Sequence, residues 1–175
     1  MDRPMSEAGF KLMGLMFKVR DLVRPRLEIL KEAGIEPGYQ VLDYGCGPGK
    51  FSVMIAKRTG LSGVVYALDV HPLAIKMVEG KARKLSLTNI KTILSGCSTN
   101  LPDGSLDLVI LFDVLHALDN QGDVLKELHR LLKSDGEMYF SDHHLKEEQI
   151  LRLVTEDGLF KLRSKGKMTY LYTRL

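Results

Sequence analysis

Apolar positions along the chain follow two rhythms. Near the amino terminus Phe10, Met13, Met16 and Phe17 recur at helical spacing, which predicts an amphipathic helix ending before Pro25. A second helix is expected from Pro25 to Ala33, with proline at its start and Gly34 past its end. After Glu36-Pro37-Gly38 the pattern changes to short apolar runs: VLDY from Val41, VVYAL from Val64, NIKTIL from Asn89, LDLVILF from Leu106 and EMYFSD from Glu137. These are mostly continuous rather than alternating, as expected of strands covered on both faces. Helical stretches separate most of them: Lys50 to Arg58, Pro72 to Leu85, and Asp123 to Leu132, where Val124, Leu125, Leu128, Leu131 and Leu132 share one face. Strands alternating with helices predict a parallel, doubly wound α/β sheet.

The last third departs from that rhythm. A helix around Glu147 to Thr155 leads to two apolar runs, Leu159 to Arg163 and Met168 to Thr173, joined at Ser164-Lys165-Gly166-Lys167. This is the pattern of a hairpin, and it is expected to place an antiparallel strand at the edge of the sheet.

Composition narrows the function more than the fold. With 175 residues, 45% of them hydrophobic, the chain fits a single domain over 1–175, with amino-terminal helices at 1–35 and a core at 36–175. Twenty-five basic against 22 acidic residues leave a formal charge of +3, which gives no clear signal for nucleic acid or anionic membrane. No apolar run approaches the length of a membrane span. The two cysteines, Cys46 and Cys97, form no Cys-x-x-Cys pair or zinc-type cluster, so both are expected as free thiols in a reducing cytoplasm.

The candidate chemistry begins at Val41. There a buried strand runs into Gly45-Cys46-Gly47-Pro48-Gly49 and then a helix, a layout in which small residues let a ligand approach the backbone and a helix start. A dinucleotide fingerprint would need a third glycine where Lys50 stands, and a phosphate-binding P-loop would need Ser or Thr where Phe51 stands. Asp43, just before the glycines, is better suited to a cationic amino group than to a pyrophosphate. Asp69 ends the second strand roughly two dozen residues after Gly45, the position from which an acid reaches ribose hydroxyls.

Taken with VVYALDVHP, SGCSTNLPDGSLDLV, LFDVLHAL and LHRLLKSDGEMYFSD, the segment VLDYGCGPG resembles the class I S-adenosylmethionine (SAM) dependent methyltransferases, of the methyltransferase-11 type related to quinone-biosynthesis enzymes. The resemblance runs from about Pro37 to the end. It implies a seven-stranded Rossmann-like sheet of order 3-2-1-4-5-7-6 with strand seven antiparallel. It also implies SAM as cofactor, with Asp43, Gly45, Gly47 and Gly49 at the methionine part, Asp69 at the ribose and Val70 on the adenine. Cys46, Leu111 and Phe112 fall beside the same site. Where the family usually has an aspartate for the adenine amino group, this chain has Cys97 followed by Ser98. A thiol is a weak partner, so that contact is expected to pass to Ser98 or the backbone.

Acceptor chemistry is expected where strands four and five end. Their exits carry His116 and the pair His143-His144, and histidine is the side chain best suited to act as a base near neutral pH. If His143 and His144 continue the fifth strand they point to opposite faces, with His143 the one facing the acceptor. Asp113, His116, Asp142 and one paired histidine could in principle ligate a divalent metal, but no dense ligand motif supports it, and none is expected. His71, before Pro72, reads as the polar entry to a helix. The Met and Phe stripe at 1–35 reads either as core packing or as a lid over cofactor and acceptor, and with no large insertion between strands five and six the acceptor site could be shared with a second copy of the chain. A small-molecule acceptor leads the reading. Two other classes stay open on sequence alone: a SAM-binding regulatory or partner protein without catalysis, and a methyltransferase acting on protein or RNA.

Overall fold

Seven strands pair into one sheet, and its central runs, rich in Val, Ile and Leu, are buried on both faces. The computed structural model describes residue 9 and residues 29–175. In chain order the elements are α1 (Ile29–Glu32), β1 (Gln40–Tyr44), α2 (Lys50–Thr59), β2 (Val64–Asp69), α3 (Pro72–Lys84), β3 (Ile90–Leu94), β4 (Leu106–Phe112), a 3-10 turn (Leu115–Ala117), α4 (Gln121–Leu131), β5 (Leu132–Ser141), α5 (Glu147–Thr155), β6 (Phe160–Lys165) and β7 (Tyr170–Arg174). The strand order is 3-2-1-4-5-7-6, and β7 is antiparallel to both of its neighbours. The helix expected between Phe10 and Pro25, and with it the choice between core packing and lid, lies outside the described residues.

Alternation across the pleat divides the core. Leu42, Tyr44, Val109, Leu111, Phe140 and Tyr172 pack with Leu125 and Leu128 of α4 and Ile150 and Val154 of α5. From the opposite face Val41, Val65, Leu108, Ile110 and Tyr139 meet Ile29 and Leu30 of α1 and Ile55 and Ala56 of α2. Among the described residues no helix is long and apolar enough to cross a membrane.

The two largest departures from the expected boundaries each have a physical reason. β5 starts at Leu132 rather than Glu137, because Leu132 already pairs with Leu106 and a bulge then takes up the extra residues before Leu108 meets Glu137. Gly136 is required there: a side chain would press on Leu132 and on the Leu106 carbonyl. The hairpin turn lies later than expected, closed by the Gly166 N–H donating to the Thr169 carbonyl at 2.8 Å, so β6 runs on to Lys165. The edge of the sheet is β6, and the antiparallel strand β7 is inserted between it and β5. Beyond Phe160, all of β6 is exposed, and its pairing with β7 slips between Leu162 and Ser164.

The turn is shifted because Glu32 occupies it. Its carboxylate accepts the backbone N–H groups of Lys167 and Met168 at 3.1 Å and of Thr169 at 3.0 Å, together with the Thr169 hydroxyl. A side chain at Gly166 would collide with that carboxylate. The end of α1 is thereby fastened to the β6–β7 hairpin. Charge-assisted bonds of this kind are each worth more than neutral ones. Glu32→Ala is therefore expected to lower unfolding free energy by about 1.5–3 kcal/mol, and Glu32→Gln, which keeps one acceptor, by less. Urea unfolding of the two variants measures the difference, and unchanged midpoints would mean the clasp is not a source of stability.

Candidate functional site

The parallel strands β1, β2, β4 and β5 end together, so their exits share one rim of the sheet. Gly45, Gly47 and Gly49 all have positive φ, at 74°, 51° and 76°, a region that side chains rarely adopt. They are not equivalent. A side chain at Gly45 would overlap Val114, and one at Gly49 would overlap Val78, so both are needed for close packing inside the protein. At Gly47 a side chain would meet nothing within 4 Å, so its open side is the part of the turn a ligand can approach.

Asp69 ties this turn to the neighbouring loops. One carboxylate oxygen accepts the Gly47 N–H and the other the His71 N–H, both at 2.8 Å. The preceding carbonyl, of Leu68, accepts the amides of Gly45 and Cys46 at 2.8 and 2.9 Å. Burial raises the pKa of Asp69 above its ordinary value while the two amides pull it back. His71 is buried and caps α3, its Nδ1 accepting the Leu73 N–H at 3.1 Å, in keeping with its expected role as a helix entry.

Asp43 lies deeper. Helix α2 has no side-chain cap at Gly49, and Asp43 supplies the missing acceptor from the adjacent strand by taking the Ser52 hydroxyl at 2.5 Å and the Ser52 amide. Desolvation is the main reason its pKa is raised to about 6; the bonds from Ser52 lower it and the nearby Asp69 raises it further. The Asp43–Ser52 pairing was missed in the sequence reading, although Ser52 sits at the third helical residue, where a capping acceptor is needed.

The remaining nucleoside-side candidates sit in different settings. Val70 is 42% exposed at the mouth of the rim, and Gly96 approaches it across the loop after β3. Tyr44 holds that loop, its hydroxyl donating to the Gly96 carbonyl at 2.7 Å. Cys97 is half-buried and Ser98 exposed. Cys46 is buried against Ala67 and Val78, and burial pushes the pKa of both thiols up. Leu111 is fully buried among core side chains, and Phe112 packs edge to face on Phe51 at 5.5 Å, so neither presents its side chain at the rim.

At the ends of β4 and β5 the three histidines come together. Phe112 pairs with Ser141, so Asp113 and Asp142 are the first residues past each strand. His116 Nδ1 lies 2.8 Å from Asp142 Oδ2, and His143 Nδ1 lies 2.6 Å from Asp113 Oδ1. His144 stacks between them, its ring 4.1 Å from that of His116 and 4.0 Å from that of His143. β5 ends at Ser141, so the expected strand alternation of His143 and His144 does not apply: both lie on a turn with adjoining rings. Among the described residues, no group of three or more His, Cys, Asp or Glu side chains is disposed to hold a metal ion.

The methyltransferase domain family matches residues 35–172. The chain is 29% identical over 131 residues to a demethylmenaquinone methyltransferase of Geobacillus stearothermophilus, covering 74% of this chain and 56% of that protein. It is 34% identical over 113 residues to an arsenite methyltransferase of Aquipseudomonas alcaligenes, covering 60% of this chain and 33% of the relative. The chain thus spans about half the length or less of these curated relatives. Among solved structures, a SAM-dependent methyltransferase from Aquifex aeolicus superimposes with a TM-score of 0.75 at 27% identity, covering 89% of this chain and 94% of that one.

Asp43 generates a test that needs no ligand. Its folded pKa lies above the unfolded value, so the folded chain holds the proton more tightly; the stability that Asp43 contributes is fully present below about pH 4 and is lost as pH rises through about 6. Asp43→Asn keeps an acceptor for Ser52 but cannot ionise. Relative to the parent, it is expected to gain about 2 kcal/mol between pH 4 and pH 6.5, read by urea unfolding across that range. A difference that stays flat with pH would show that Asp43 is not held in a desolvated state.

Proposed function

The chain belongs to the methyltransferase domain family, and on that basis we propose that it transfers the methyl group of SAM to a small acceptor that gives up a proton. The observation that carries this reading is the glycine turn itself. Two buried carboxylates, Asp43 and Asp69, flank it, Gly47 is open on its outer side, and the exposed Val70 stands next to it. That donor set suits a ligand with a cationic amino-acid end, a vicinal diol and an apolar base.

When bound, SAM supplies a methyl group already activated on a sulfonium, and the electron pair of the broken C–S bond stays on sulfur. In this reading Asp69, whose oxygens already accept the amides of Gly47, His71 and Val70, accepts the ribose hydroxyls with its remaining lone-pair directions. Asp43 supplies negative potential beneath the turn, and its strained ionisation is relieved by a nearby cation. Val70 covers one face of the base. His116 takes the acceptor's proton at Nε2, with His143 and His144 beside it, and much of the acceleration comes from holding the acceptor in line.

The relatives' names point to different acceptors, demethylmenaquinone and arsenite. The thiols of this chain favour the first kind. Arsenic is soft and is captured by thiols that converge on it, whereas Cys46 is buried against Ala67 and Val78 and Cys97 packs against a different core cluster. An acidic hydroxyl or an activated carbon is the acceptor class this site suits.

The deciding experiment incubates the protein with methyl-labelled SAM and a metabolite extract, with quinols and arsenite as separate additions, and follows labelled products by mass. A methylated organic product is expected. Tight SAM binding with no product from any source would instead favour a binding protein without catalysis. Calorimetry should also detect SAM and its demethylated product but not NAD, and Asp69→Ala should weaken SAM by about 1–3 kcal/mol. An unchanged dissociation constant in the folded variant would remove Asp69 from the ligand.

A further inference from the structure

Two acids and two histidines at the ends of β4 and β5 are paired crosswise. Asp142, leaving β5, holds His116, which follows β4; Asp113, leaving β4, holds His143, which follows β5. Each acid engages both the ring and the backbone of its histidine. The His116 N–H donates to Asp142 Oδ2 at 3.2 Å, and the His143 N–H donates to Asp113 Oδ1 at 3.1 Å. The other oxygen of Asp142 takes the His144 N–H at 3.1 Å, so this one side chain, itself fully buried, fixes residues from both loops. The 3-10 turn supplies His116, and the turn after β5 supplies His143 and His144.

The local backbone is shaped around these pairs. Asp113 has φ of 56°, a conformation that costs energy for most side chains and that aspartate tolerates better than most. Its own N–H donates to the Ser141 carbonyl at 2.7 Å, which continues the β4–β5 ladder by one bond and brings its carboxylate over to His143. In-register strand ends make the exchange mutual: Phe112 pairs with Ser141, so both acids leave the sheet at the same height.

Resting on the methyl-transfer reading above, we propose that Asp142 and Asp113 are positioning residues that set the tautomers of His116 and His143. An ionised carboxylate only accepts, so the ring nitrogen facing it carries the hydrogen. Nδ1 is therefore the protonated nitrogen in both rings, and in His116 Nε2 carries the lone pair that takes the acceptor's proton. Asp142 is the stronger of the two because it is out of water, where a charge-assisted bond is least weakened. His116, with 26% of its side chain exposed, is the ring through which it acts. His144, stacked between the other two rings, limits their rotation.

The tautomer is read directly, and without SAM or acceptor, by nitrogen-15 NMR of the imidazoles of the full chain at about pH 8.5, where histidine is ordinarily neutral. In the parent, His116 and His143 are expected as Nδ1–H. Asp142→Asn should move His116 toward Nε2–H and leave His143 unchanged, while Asp113→Asn should do the reverse and Asp113→Glu should restore His143. Either parent ring found as Nε2–H, or a His116 tautomer unmoved in folded Asp142→Asn, would overturn the proposal. If Asp142→Asn does not fold, the Asp113 pair of variants decides it. With an acceptor in hand, Asp142→Asn should lower kcat about 10- to 100-fold, part of what a general base contributes, with little change in acceptor KM or SAM affinity. Absence of turnover in the parent would count against the methyl-transfer reading alone, because the NMR result stands apart from it.

Discussion

The rim of this sheet depends on the carboxylate of Asp69. It is mostly removed from water, which disfavours its charge, and two backbone amides from opposite sides offset part of that cost. Those amides belong to the glycine turn and to the entry of α3. The Asp69 carbonyl also accepts the Ser95 N–H at 3.1 Å, tying in the loop after β3, which Tyr44 secures from the other side at Gly96. Three loops that would otherwise move independently are therefore referred to the end of one strand. Under the proposed function, a ligand meeting them would find its partners already placed, so less ordering would have to accompany binding.

Much of this was legible in the chain because burial leaves a period in the sequence. The continuous apolar runs located the five parallel strands up to β5, and Gly60 and Lys50 bound α2 within a residue of where the helix was expected. What was hidden depends on register. The early start of β5 follows from a bulge, and nothing in Lys133 to Gly136 has strand-like periodicity. The late hairpin turn follows from Glu32, more than 130 residues away, filling a turn whose own residues suggested an earlier one.

The candidate site divides in the same way. Gly45, Gly47, Gly49 and Asp69 were visible because conformational demands and strand ends mark them locally, but only packing separates the two glycines facing valine side chains from the one facing open space. Histidines at the ends of β4 and β5 could be anticipated from topology. Their crosswise pairing with Asp142 and Asp113 could not, since it requires both strands to end in step and the chain after β5 to leave strand geometry at once. Leu111 and Phe112 illustrate the converse: residues at the right height in the sequence can have their side chains turned wholly into the core.

The exposed outer strand β6 carries a further consequence, for how copies of this protein meet in a crowded solution. An edge strand offers unpaired amides and carbonyls to any other strand, the usual start of sheet-to-sheet aggregation. Here three of its six residues, Lys161, Arg163 and Lys165, are cationic and exposed, and the slip at Leu162 and Ser164 breaks the flat line of backbone groups. Arg163 and Lys165 pair with Glu137 and Glu147 of their own chain. Two such edges brought side by side would crowd like charges and mismatch their bonds, so the fold resists growing into a continuous sheet from this side.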